Sequence, residues 1–237
     1  MIEVHEIVKK YGENNIVLNI EQLYIPKGQC FGLVGNNGAG KTTLFSLLLD
    51  LIQPTTGRIV SNNIQVNLSE EWKPFTSAYI DESFLIGYLT PEEYFYFIGE
   101  LRGWKQNEVD EFIGGFQDFF NGEILGRKKY IRDLSKGNAK KTGIIAALIG
   151  NPQIIILDEP FANLDPTTQF RLKFILRKLL ENKETTVLIS SHDLQHIVEV
   201  SERIVVLDRG CIVKDIQKSE ETMQELESFF KDKISLT

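Results

Sequence analysis

Cysteine is scarce in this chain of 237 residues: only Cys30 and Cys211 occur, far apart and each in an apolar, strand-like run. That excludes a disulfide framework and a Cys-rich metal site. Both are expected to be small buried hydrophobes in a reducing compartment. Positive charge is also short, with 26 Lys and Arg against 33 Asp and Glu, a formal charge of −7. Nucleic-acid backbones are held by clustered Lys and Arg, so nucleic acid is not expected as the main partner. No apolar run approaches the roughly 20 residues that cross a bilayer; the one at 143–150 is short and soon interrupted. The start, Met1-Ile2-Glu3-Val4-His5-Glu6, has no basic segment leading into an apolar one, so no secretory signal is read there. Internal repeats and low-complexity stretches are absent. These absences predict a soluble, cytoplasmic protein. An apolar content of 42% and a charged content of 25% are ordinary for a globular chain. The length suits one large α/β domain, or one domain carrying an insertion.

The most informative stretch is Gly35-Asn36-Asn37-Gly38-Ala39-Gly40-Lys41-Thr42-Thr43. It has the spacing of a phosphate-binding P-loop, with Gly35, Gly40, Lys41 and Thr42 at the required positions. Glycines let the backbone curl so that successive N–H groups point at phosphate oxygens. A helix then begins, and its positive end faces the same phosphates. Lys41 is expected to reach the β- and γ-phosphates, and the Thr42 hydroxyl to hold Mg²⁺. The context agrees. The run Cys30-Phe31-Gly32-Leu33-Val34 reads as a buried strand entering the loop. Leu44, Phe45, Leu47, Leu48 and Leu51 give the exit a helical apolar face.

Upstream, residues 2–9 alternate as a half-buried strand does, 11–15 form a turn, and 16–25 read as a second strand. An antiparallel layer is therefore expected before the P-loop. Tyr11, the one aromatic of that turn, offers a π-face to an adenine ring; its other reading is a side chain packed at a hairpin end. Downstream, strand-like runs are read at 58–60, 63–68 and 78–80. From about residue 84 the pattern turns helical. Thr90-Pro91-Glu92-Glu93 is a helix start. Val109, Phe112, Ile113, Phe116, Phe119 and Phe120 repeat at helical spacing across Gly114 and Gly115, and 138–149 is a further helix. Residues 83–150 thus read as a helical insertion. Alternation of strand and helix then resumes. Strands are expected at 153–157, 185–190, 204–207 and 211–216, with helices at 166–181 and 195–203. The tail from 217 carries Met223, Leu226, Phe229 and Phe230 on one helical face and is expected to dock.

A P-loop site needs a second oxygen ligand for Mg²⁺. Asp158 supplies it at the end of the run Ile154-Ile155-Ile156-Leu157, where α/β sheets bind ligands. The adjacent Glu159 is placed to orient or deprotonate a water beside the γ-phosphate. His192 follows another strand and reaches the same sheet edge. His5 and His196 have no such position and are read as structural or surface residues.

The chain resembles, over nearly its whole length, the nucleotide-binding subunits of ABC transporters. Residues 35–42 are similar to the family's Walker A motif, and 154–159 to Walker B with its catalytic glutamate. Asn163-Leu164-Asp165 resembles the D-loop, and Ser191-His192-Asp193 the switch-histidine loop. The most specific likeness is Leu134-Ser135-Lys136-Gly137-Asn138, which resembles the LSGGQ signature. The resemblance implies an ABC ATPase fold: a P-loop NTPase core (1–82 and 151–216), an antiparallel β layer, a helical subdomain with the signature (83–150) and a helical tail (217–237). It also implies ATP and Mg²⁺ as cofactors. Asn36, Asn37, Gly38, Ala39, Gly40, Lys41, Thr42 and Thr43 would bind the phosphates, and Tyr11 takes the adenine-stacking place. Glu159, His192 and Lys41 would be catalytic. Ser135 and Gly137 would serve the nucleotide of a partner subunit. Three departures stand out. Lys136 replaces a usual Gly, Asn138 a usual Gln, and Glu82 falls where the family has its Q-loop glutamine, which meets Mg²⁺ or water and links to the membrane partner. The first two keep Ser135 and Gly137. The third bears on coupling rather than on nucleotide binding.

The expected function is an ATPase subunit, acting as a homodimer or heterodimer of nucleotide-binding subunits, that powers a separately encoded membrane permease. Export is the expected direction, by likeness to bacterial single-domain efflux subunits, with the protein peripheral on the inner face of the membrane. A mechanical ATPase of the same superfamily, acting on ribosome or DNA, is the alternative. Such proteins usually carry two nucleotide domains or long coiled-coil or zinc insertions, and this chain shows neither. A degenerate regulatory module is the non-enzymatic alternative; intact Lys41, Asp158, Glu159 and His192 speak against it.

Overall fold

The computed structural model describes residues 1–12 and 15–234. Strands β1 (Ile2–Tyr11) and β2 (Asn15–Ile25) pair antiparallel, and part of the turn expected between them lies outside the described residues. Strand β3 (Cys30–Val34) then leaves this layer and enters the P-loop, and helix α1 (Lys41–Leu48) follows it. Leu51, expected on the apolar face of α1, lies beyond its end and is exposed. Strands β4 (Thr56–Ser61) and β5 (Ile64–Gln65) rejoin the first layer, giving the order β2-β1-β4-β5. The strand expected over 63–68 is thus much shorter. Asn62 and Asn63 both have positive φ, the backbone of a two-residue hairpin turn, with Ser61 opposite Ile64. The Val66 N–H still donates to the Ile59 carbonyl of β4, and the buried Trp72 indole donates to the Val66 carbonyl at 2.9 Å.

The second sheet is built from β6 (Thr76–Tyr79), β7 (Ile154–Leu157), β8 (Thr186–Ser191), β9 (Arg203–Asp208) and β10 (Cys211–Gln217), with β3 among them. Its order is β10-β9-β3-β8-β7-β6, parallel throughout except for the β9–β10 hairpin. Both faces are covered, which is why β3, β7 and β8 are apolar without alternation. Phe31 and Leu33 point toward the antiparallel layer and α1, while Cys30 and Val34 point to the opposite core.

That opposite core is helical. Helix α2 (Pro91–Leu101) starts at a capping box in which Thr90 and Glu93 bond each other's backbone N–H. Where one aromatic-studded helix was read across 109–120, there are two, α3 (Gln106–Gly114) and α4 (Gln117–Phe120). The break falls at Gly115, which caps α3 and has no side chain to pack across the bend. Helix α5 (Lys136–Ala146) packs against β6 so closely that a Cβ at Gly143 would lie 2.3 Å from the Tyr79 ring. Helices α6 (Pro166–Leu180) and α7 (Leu194–Val200) cover the rest of this face, each N-capped by an aspartate, Asp165 and Asp193. Helix α7 stops short of the expected 203, because Arg203 joins β9 and pairs with Asp215 of β10 at 2.5 Å. Helix α8 (Thr222–Ile234) docks through the fully buried Leu226. One expectation fails outright. Cys30 is buried, but Cys211 is exposed, because it opens β10 at a tight turn instead of entering the core.

Candidate nucleotide site

The C-terminal ends of β3, β7 and β8 lie side by side, and the polar residues just beyond them converge. Gly35 is required by packing, since a Cβ there would meet the Leu207 carbonyl oxygen at 2.3 Å. Gly38 is required by its φ of +81° in otherwise open space. Asn36, Asn37 and Gly38 form the exposed crest of the loop; Ala39 is buried and donates its N–H to the Asn36 carbonyl. Gly40, with φ +106°, is the N-cap of α1 and backs onto Val17 and Leu18 of β2. Thr42 and Thr43 lie in the first turn of α1. Lys41 is 6% exposed and curls over the loop, its ammonium 2.6 Å from the Gly35 carbonyl and 3.4 Å from Glu159 Oε1.

Asp158 is the fixed point behind the loop. It accepts hydrogen bonds from the Thr42 hydroxyl on one oxygen and from the Ser190 hydroxyl on the other. Burial pushes its carboxyl above the ordinary range; the two hydroxyl donors and Lys41 oppose that shift, and Glu159 adds to it. Glu159 has φ +46°, a left-handed backbone rare for a side chain of its size. Its N–H donates to Ser190 Oγ at 2.9 Å, and its carboxylate Oε2 lies 2.9 Å from His192 Nδ1. A carboxylate only accepts, so this contact puts the hydrogen on Nδ1. Lys41, Thr42, Asp158, Glu159 and His192 are therefore linked through direct contacts, although they come from three separate stretches of sequence. Two members were missed. Ser190 is a polar residue at the end of an apolar strand beside Asp158, and that was its only signal. Lys140 donates to the Glu159 carbonyl at 2.8 Å from the buried side of α5; its place in a polar stretch of the sequence gave no signal of that.

The outlying residues are arranged differently. Tyr11 is half exposed at the end of β1, opposite Asn15 at the start of β2, the strand that backs Gly40. The Lys9 ammonium lies 4.9 Å from its ring centroid. Glu82 opens a short 3-10 turn just after β6, with Asp81 capping it by accepting the Ser83 N–H. Since Tyr79 is the register partner of Leu157, and its carbonyl accepts the Asp158 N–H, Glu82 sits next to the Asp158 edge. Ser135 is the exposed N-cap of α5, and its hydroxyl accepts the Asn138 N–H at 3.2 Å. Gly137 packs on the 163–165 turn, where a Cβ would lie 3.0 Å from the Asn163 carbonyl.

The fit to Mg²⁺ and a nucleotide can be judged from these groups. The P-loop is a backbone cradle with one buried ammonium. Thr42 and Asp158 offer two hard oxygens next to it, and no cluster of three or more His, Cys, Asp or Glu suited to a metal occurs among the described residues. Mg²⁺ retains water and phosphate ligands and takes only one or two from protein, so the donor set fits it. These features define a P-loop nucleotide hydrolase. A family model described as ABC transporter matches residues 18–162. The chain is 33% identical over 227 residues to the bacitracin transport ATP-binding protein BcrA of Enterococcus faecalis, covering 93% of this chain and 70% of that one. It is also 33% identical over 234 residues to the ABC transporter ATP-binding protein YhaQ of Bacillus subtilis, covering 92% and 74%. Among solved structures, the ATP-binding cassette MJ0796, a dimer bound to ADP and Pi, superposes with a TM-score of 0.82 at 24% identity, covering 92% of this chain and 99% of that one. That likeness shows the fold. The chain belongs to the ABC transporter family, as an ATP-binding subunit. Its activity is that family's, hydrolysis of ATP with Mg²⁺ to power transport.

Proposed function

We propose that this chain drives export through its permease, using Glu159 to orient or deprotonate the attacking water, His192 to hold Glu159 and the γ-phosphate edge, and Lys41 to neutralise phosphate charge. Residues 36–43 cradle the phosphates with their N–H groups, Thr42 and Asp158 hold Mg²⁺, and Glu82 reaches it through water. Tyr11 stacks on adenine. Mg²⁺ supplies charge neutralisation at the phosphates. In the same reading 1–82 with 151–216 is the nucleotide core, 83–150 the helical subdomain and 217–237 the tail of a single functional domain. The observation that carries it is the contact chain Thr42–Asp158–Ser190–Glu159–His192, with Lys41 against Glu159. Such a chain holds a carboxylate ready beside a phosphate site.

Ser135 and Gly137 complete the site of a second subunit, homodimeric or heterodimeric, in a head-to-tail pair. Ser135 is exposed and makes its cap bond within its own helix, which supports a role outside its own chain. A groove of about 760 Å³ between β6, α2 and α5 is lined by Tyr79, Leu85, Tyr94, Ile98 and Arg102, with the exposed Phe84 and Leu101 at it. Its shape and apolar lining suit a cytoplasmic helix of the permease. That contact would hold the protein on the inner face of the membrane; no described helix is long and apolar enough to cross one. Export follows the resemblance to single-domain efflux subunits, and the likeness to a bacitracin transport protein supports it. The Glu159→Gln variant tests the core of this reading. It is expected to bind ATP with normal affinity, to turn over at least about 100-fold more slowly, and to accumulate as an ATP-bound dimer in size-exclusion chromatography. Near-normal steady-state hydrolysis would remove Glu159 from the role.

A further inference from the structure

Helix α5 carries a lysine where a helix packed on a sheet ordinarily carries an apolar residue. Lys140 is 5% exposed, and its ammonium lies 2.8 Å from the main-chain carbonyl of Glu159. Three bonds hold that one residue's backbone in its left-handed conformation. The Glu159 N–H donates to Ser190 Oγ, and the carbonyl accepts from both the Ala162 N–H and Lys140. A left-handed backbone is disfavoured in a residue with a Cβ and persists only where its surroundings hold it. The direction of the Glu159 carboxylate, toward Lys41 and His192, depends on that backbone.

We propose that Lys140 is a positioning residue for Glu159, clamping its carbonyl so that the carboxylate stays aimed at the phosphate edge of the P-loop. The proposal rests on the reading of Glu159 as the water-orienting group and adds a residue that acts through it. Burial lowers the Lys140 ammonium from its ordinary range, while Glu82, Glu159 and Asp158 all pull the other way, Glu82 foremost. The Tyr79 ring lies beneath the ammonium at 5.9 Å. Ser135 caps the same helix five positions before Lys140, so the end of α5 that faces solvent and the clamp on Glu159 belong to one rigid element.

The test compares Lys140→Met, Glu159→Gln and the double variant, with ATP and Mg²⁺, each rate divided by the number of nucleotide-binding sites titrated. Met keeps the stem and removes the donor. Lys140→Met is expected to lower kcat per site by about 10- to 100-fold with KM within about twofold, as a small misplacement of a catalytic group does. In the Glu159→Gln background it is expected to lower the residual rate by less than about twofold, since both changes act on one group. Should Lys140→Met fold poorly, Lys140→Gln, which keeps a shorter neutral donor, is expected to show the same pattern in reduced size. Wild-type kcat per site in Lys140→Met or Lys140→Gln overturns the proposal. So does a further 10-fold loss in the Glu159→Gln background, which would put Lys140's effect elsewhere. Near-normal turnover by Glu159→Gln alone is a separate result, and it overturns the assignment of Glu159.

Discussion

The P-loop end of the molecule and the start of α5 are finished to different degrees. At the P-loop, Lys41 and Asp158 are 6% and 5% exposed, and Thr42, Ser190, Glu159 and His192 link them into one bonded group. At the start of α5, Ser135 and Lys136 face solvent, and the Ser135 hydroxyl satisfies only its own helix. Burial of Lys41 and Asp158 strengthens the contacts they make and fixes their geometry before any ligand arrives. Exposure at the start of α5 leaves backbone donors at a helix N-terminus for something outside the chain. That contrast is the one expected if, as proposed, the start of α5 serves the nucleotide of a second subunit.

The sharpest way to break this comparison is complementation. Lys41→Ala and Ser135→Arg are each expected to be inactive, with hydrolysis reduced by roughly 100-fold or more. A mixture puts an intact P-loop opposite an intact signature at one of its two sites. Single-turnover hydrolysis is expected to recover at that site, together with ATP-dependent dimerisation. No recovery, despite mixed dimers shown by differential tagging, would mean that Ser135 serves its own chain or none.

Next in size is a change where the two regions touch. Gly143 has no room for a side chain against Tyr79. Gly143→Val is expected to cost about 1–3 kcal/mol, the usual range for overpacking a core, read from the midpoint of urea unfolding. ATP affinity of the folded fraction should hold, while dimerisation through α5 weakens. Equal loss of both would show that the regions are not separable.

A smaller effect is expected at a helix start remote from the P-loop. Thr90→Ala removes the α2 cap and should cost ~1 kcal/mol with hydrolysis per folded molecule unchanged. A drop in kcat per molecule would extend the catalytic network into α2. The smallest effect should come from the cysteines. Burial pushes the Cys30 thiol up to about 12, whereas Cys211 is exposed. Iodoacetamide at neutral pH should modify Cys211 in the native protein and leave Cys30 untouched, with no change in hydrolysis. Peptide mass mapping reads this directly, and labelling of Cys30 without denaturant would show that β3 opens.

Elements with strong local signals were legible before the fold was known. The Gly-rich loop, the Thr90-Pro91 helix start and the apolar run before Asp158 all specify their backbones through residues within a few positions of one another. Readings failed where one periodicity masked a local break, or where a neighbour in space decided. Helical spacing across 109–120 concealed a break at Gly115, and Asn63, taken into a strand over 63–68, belongs to the turn at Asn62-Asn63. Cys211 looked like core because its neighbours are apolar, yet β10 is an edge strand whose residues alternate between half-buried and exposed.

By itself the sequence determined the P-loop, the order of strands and helices, and the residue types for phosphate and Mg²⁺, because each is written in short-range spacing. Only the tertiary structure decided that Ser190 holds both Asp158 and the Glu159 backbone, and that Lys140 reaches the Glu159 carbonyl from another element. Those contacts cross from one buried element to another. Which side chains meet there depends on how β7, β8 and α5 pack, and no local pattern of residues encodes that distance.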